Sequence, residues 1–236
     1  MNSWNGVGDA AALKIATPNR FSASRAREQA VAVVSIVLLM AGCAVIMAAR
    51  LQYVGSAYIS EVGSAGVPTE HIFRDGFTLL VIGIALAGFS LRHERSSVSV
   101  FSRWSAGVTL WVAAAALGIA SGVTCSMYCP TPFNPAFAIR DVIHISSAVI
   151  GFAGGCWAML QLATSPRRSL RIASVVSAVL VAVISGTGGI MSLASWNTHI
   201  GGNLEFIAAG LAMLWLSGCL VAIHWGTRRA VAESAQ

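Results

Sequence analysis

The chain has 236 residues, 56% of them hydrophobic and only 10% charged, with a mean hydropathy of +0.73. That composition argues against a water-soluble globule and points to the bilayer as solvent. The formal charge of +6 comes without an interleaved aromatic and basic surface, so nucleic acid is not expected as a partner.

Six apolar runs, at about 28–49, 72–92, 104–124, 141–163, 172–193 and 203–225, are each long enough at about 1.5 Å per residue to cross a hydrocarbon core of about 30 Å. They predict an all-α integral membrane bundle of six transmembrane helices, because only intra-segment hydrogen bonds satisfy a spanning backbone. A barrel would show short alternating segments instead. The domain expectation is a mobile cytoplasmic tail over 1–27, a six-helix transmembrane domain over 28–225 and a second cytoplasmic tail over 226–236. With the N-terminus inside, twelve of the 15 basic residues fall on the inner side: Lys14, Arg20, Arg25, Arg27, Arg92, Arg95, Arg103, Arg167, Arg168, Arg171, Arg228 and Arg229. Arg50, Arg74 and Arg140 stay outside, and the asymmetry fits the positive-inside rule with both termini cytoplasmic.

In chain order, the first run is longer than the roughly 7–15 apolar residues of a signal peptide, so it reads as a retained helix. It ends at Arg50, whose side chain can snorkel to the headgroups. The connection Tyr58–Asp75, YISEVGSAGVPTEHIFRD, follows with Glu61, Glu70, His71, Arg74 and Asp75. Gly63, Gly66 and Pro68 favour turns there. In the second helix, Gly83 and Ala87 let a neighbour approach closely. The loop after the third helix carries Cys125 and Cys129, which an oxidising exterior can join as a disulfide, and Pro130, Pro132 and Pro135, which forbid helix. Cys43, Cys156 and Cys219 lie inside helices as small hydrophobes.

The fourth helix opens with Asp141 and His144 on one face. Gly151, Gly154 and Gly155 further along it allow tight contact, and the fifth helix carries Ser185-Gly186-Thr187-Gly188-Gly189, which can bend it or make room for a lipid chain. His199 and Glu205 then stand at the outer end of the sixth helix. His71, Asp75, Asp141, His144, His199 and Glu205 thus come from three hairpins and fall at one side. Ionisable groups beside hydrocarbon are costly, which makes such a cluster a functional candidate. As solvated headgroup-zone caps they need no function, since Asp75 and Asp141 sit near helix N-termini. As a metal site, His71/Asp75 at i, i+4 and Asp141/His144 at i, i+3 are spacings that let two ligands meet one zinc ion, with His71, His144 and Asp141 the candidate ligands and His199 or Glu205 to complete the set and activate a water.

The stretch YISEVGSAGVPTEHIFRDGFTLL after a first membrane helix resembles the bacterial "domain of unknown function 998" family and is similar to the Frag/DRAM/Sfk six-helix membrane proteins. The matching positions are Tyr58, Ile59, Ser60, Glu61, Gly63, Pro68, Glu70, Phe73, His144 and Glu205. Glu61 stands where Asp is common, and Phe206 where the Frag-type proteins have Trp. The resemblance implies a place in the bacterial cytoplasmic membrane. Eukaryotic relatives are tied to lipid-anchor remodelling, autophagy and lipid asymmetry, whereas the bacterial family has no settled activity.

These observations support a protein that binds a lipid or other amphiphile in an outer polar pocket, lined by Tyr58, Ser60, Glu61, His71, Asp75, Asp141, His144, His199 and Glu205. Binding is expected rather than catalysis, with no cofactor and membrane lipids as partners. The alternatives are a metal-assisted or acid/base lipid hydrolase or transferase at the outer leaflet, with zinc as the metal, and an accessory subunit. The last would pack through Gly/Ala-rich faces on a membrane partner or on its own copies.

Overall fold

The computed structural model describes residues 20–54, 58–132, 134–194 and 196–226. Among them are seven helices and no strand: α1 Arg20–Gln52, α2 Ile59–Val62, α3 Glu70–Ser90, α4 Ala106–Gly122, α5 Ile139–Leu162, α6 Arg168–Leu193 and α7 Thr198–Trp225. Each expected span lies at a long helix. Five are long and apolar enough to cross a membrane, and α4 is shorter at 17 residues, about 25 Å at 1.5 Å per residue.

Five of the long helices begin earlier than their apolar runs, α1 and α7 by the most. α1 starts at Arg20 rather than 28, because RFSASRAR contains no Gly or Pro and extending an established helix costs little. The rest of the expected tail, residues 1–19, lies outside the described residues, as do residues 227–236. α7 starts at Thr198 rather than 203, so Glu205 is its eighth residue, about 10 Å along the helix.

The long helices close a ring in chain order. α1 packs on α3, α3 on α4, α4 on α5 and α6 on α7, while α7 meets α1 and α5 meets α6 more loosely. Small residues set the closest crossings: a side chain at Gly42 of α1 would lie 2.7 Å from the Gly76 carbonyl of α3, and Gly83 and the fully buried Ala87 of α3 also face inward. The outer wall is apolar, with Val37, Val112 and Val179 each at least half exposed, as suits helices facing lipid.

Both described chain ends lie at one end of the ring, where the Gln29 amide donates to the His224 carbonyl at 3.0 Å. Arg25, Arg27, Arg95, Arg103, Arg167, Arg168 and Arg171 are exposed on the segments of that end, and Arg92 pairs with Glu28 at 3.0 Å. Buried Gln161 ties it together. Its oxygen accepts from Thr109 Oγ1 at 2.8 Å, and its amide donates to the carbonyls of Phe101 and Trp104 at 3.1 and 3.0 Å. The opposite end is covered by α2 and the loop between α4 and α5.

Candidate functional site

The cover over the ring follows from its turn residues. Tyr58 is extended, one helical turn runs from Ile59 to Val62, and Gly63 ends it. A side chain at Gly63 would run into the Phe73 ring. Thr69 Oγ1 donates to the Val62 carbonyl at 2.7 Å and Ser64 Oγ to the Glu61 carbonyl at 2.9 Å. Gly66 takes the left-handed φ of 84° that glycine tolerates, and its amide donates to Glu70 Oε2 at 2.8 Å. The cover is then stitched to the next hairpin, since the Ala65 amide donates to the Cys125 carbonyl and the Tyr128 amide to Ser64 Oγ.

Under this cover sits a carboxylate from α7. Glu205 Oε2 accepts the Ile59 amide at 3.1 Å, fixing the first turn of α2 to the middle of the ring's seam. One turn earlier on α7, Gly201 lies so close to Tyr58 that a side chain there would overlap the phenol oxygen. Tyr58 is 5% exposed, and its buried hydroxyl lies beside the Ser192 hydroxyl without a well-formed hydrogen bond. Glu61 is half-buried two residues after Ile59, and its charge acts on Glu205. Burial pushes its carboxyl up to about 7, with the Tyr58 amide and Arg50 pulling the other way. The Arg50 guanidinium lies 5.9 Å from the centre of the Phe206 ring. Tyr58, Glu61, Glu205 and Arg50 therefore form one polar group at the covered end.

Directly beneath it the ring surrounds a partly open cavity of about 140 Å³, bordered by Ile59 and Phe206 at the polar group and reaching Met159, Val181 and Trp215 further down. Every one of the six long helices contributes to its wall, and the lining side chains are apolar or sulfur-bearing. A cavity of that character takes apolar guests in preference to water. Gly155 and Gly210 line it, and a side chain at either would meet nothing within 4 Å.

The other residues of the expected pocket take different places. Asp141 is fully buried and accepts from the Ser126 amide at 2.6 Å, Ser126 Oγ at 3.0 Å and the Ala138 amide at 2.8 Å, pinning the α4–α5 loop. His144 Nδ1 faces two carbonyl oxygens, Ala120 at 2.7 Å and Val123 at 3.0 Å. It must carry its hydrogen there, so the ring satisfies the free end of α4. His71 is exposed beside Arg74 at 3.1 Å, His199 is exposed beside Asn203, and Asp75 is exposed. Ser60 is half-buried within α2. Arg140 holds the Thr124 carbonyl at 2.8 Å, which leaves Arg50 as the cation acting on Glu61.

Zinc at His71, His144 and Asp141 does not fit these placements, because His144 Nδ1 and the Asp141 oxygens serve backbone groups and His71 lies with Arg74 on the surface. Among the described residues, Cys125, Cys129 and His144 are the three potential ligands that come together. Cys125 and Cys129 are joined as a disulfide, which leaves neither sulfur a thiolate to bind a metal.

Sequence reading missed the cavity and Arg50. Apolar side chains facing a cavity look like those facing lipid, and a basic residue at a helix end normally snorkels. A usable signal was the run Gly151, Gly154, Gly155: the first two press on Leu117 and Ala113, while the third opens into the cavity. A family model described as a protein of unknown function (DUF998) matches residues 30–222, a range that takes in part or all of each of the six long helices. No curated protein and no solved structure matches the chain.

Proposed function

This multi-pass membrane protein belongs to the DUF998 family, and we propose that it binds a lipid or other amphiphile, part of its tail in the central cavity and its head among Tyr58, Glu61, Glu205 and Arg50. The observation that carries the reading is the continuity of the two environments. Ile59 presents its amide to Glu205 and its side chain to the apolar cavity, so a molecule reaching from one to the other needs both a polar and an apolar part. Lipids reach the cavity from the bilayer, and the looser contact of α5 with α6 offers a lateral way in.

The test is lipid retained through purification in mild detergent, measured by mass spectrometry on the full chain and on Gly155→Phe. A phenyl group at 155 enters open space in the cavity, so bound lipid should fall at least fourfold while thermal stability is held. Undiminished lipid in the folded variant would refute cavity binding. The near-neutral ionisation of Glu61 also suits acid/base chemistry on a bound lipid. Headgroup cleavage by the purified chain that disappears in Glu61→Gln would establish that second reading.

A further inference from the structure

We propose that the head accepted at the covered end carries a primary ammonium group. This rests on the amphiphile reading and names its ligand class.

The polar group is rich in acceptors. Glu205 has one oxygen engaged by the Ile59 amide, Glu61 brings a second carboxylate, and the buried Tyr58 hydroxyl has only the Ser192 hydroxyl beside it. Tyr58 and Glu61 flank Ile59 in sequence, and the phenol oxygen rests on Gly201, one turn from Glu205 on the same face of α7. Tyr58 and Glu205 meet at one seam between α2 and α7, and Glu61 lies close enough for its charge to act on both. The group holds two carboxylates, and the guanidinium acting there, that of Arg50, acts on Glu61, which leaves the group one negative charge in excess when both are ionised. Buried carboxylates are costly unless paired.

A primary ammonium meets each requirement, supplying one positive charge and three N–H donors. A trimethylammonium head brings the charge without donors, a hydroxyl head brings a donor without charge, and an anionic head is repelled.

The experiment titrates the full chain, in mild detergent, with acyl-matched lysophospholipids bearing ethanolamine, choline or glycerol heads, following tryptophan fluorescence. The first two share a phosphate and differ only in the ammonium. The ethanolamine lipid should bind about tenfold more tightly than the choline lipid, the size expected from losing charge-assisted hydrogen bonds, and the glycerol lipid should bind most weakly. In Glu61→Gln and in Glu205→Gln the ethanolamine-to-choline ratio should collapse towards one. If Glu205→Gln fails to fold, Glu61→Gln on the half-buried cover supplies the same comparison. Equal affinities in the native chain, or a ratio that survives in Glu61→Gln, overturns the headgroup assignment alone. Competition by sodium or magnesium at fixed ionic strength without any head preference assigns the seam to an inorganic cation and also overturns it. No binding of any of the three lipids overturns the amphiphile reading, and this inference with it.

Discussion

Glu61 and Asp141 are both acidic, yet their surroundings give them opposite roles. Burial raises the Glu61 carboxyl from 4.5 to about 7, so between those values the folded chain holds a proton that the unfolded chain has released. Stability from this group is fully present below about 4.5 and lost as pH rises through about 7. Glu61→Gln should therefore melt near the native temperature at about pH 5 and above it at about pH 8. An unchanged difference between the two pH values in differential scanning fluorimetry would contradict the assignment. Asp141, fully buried with three hydrogen bonds, is a structural pin, and Asp141→Ala should cost about 3 kcal/mol. His71→Ala, on the surface, should stay within about 0.5 kcal/mol. Equal losses in thermal or denaturant unfolding would show that the two residues share one site after all. From sequence these residues looked alike, because each is ionisable and close to a helix start. What separates them is which backbone groups their oxygens and nitrogens reach, a three-dimensional fact that spacing does not encode.

Among the elements, the long helices were legible because a spanning backbone has so few options. Their starts were less so: Thr198–Gly202 is too polar for an apolar window, and the early start of α7 is what sinks Glu205 into the ring. The cover was legible in its turn residues, with Gly63 and Gly66 placed where the chain reverses, but its coupling to α7 through Glu205 joins residues 146 apart and left no local trace. At the opposite end, Gln161 holds α5 to α4 and to the preceding loop. Gln161→Leu keeps the bulk but orphans the Phe101 and Trp104 carbonyls, and should destabilise by about 2 kcal/mol in denaturant unfolding. A neutral result would show that those carbonyls find other partners.

For the whole molecule, two polar ends and an apolar wall give an orientation and a binding mode. The arginine-rich end is expected in the cytoplasm, and the end with α2 and the Cys125–Cys129 disulfide on the oxidising side. Membrane-impermeant thiol labelling of an introduced cysteine should therefore modify Asp75→Cys in intact cells and spare Arg95→Cys, and the reverse pattern would invert the topology. A ring of six helices was foreseeable from six hydrophobic runs, whereas the space at its centre depends on how far Gly155, Gly210 and their neighbours stand from the opposite wall. The most direct measurement uses a lipid with a photoreactive diazirine at the end of its tail, crosslinked to the full chain in bilayers and mapped by mass spectrometry. Adducts on cavity residues of several helices, such as Phe77, Met159 and Met213, are the expected result. Adducts confined to the outer wall, at Val37, Val112 or Val179, would show that lipid only surrounds the ring and does not enter it.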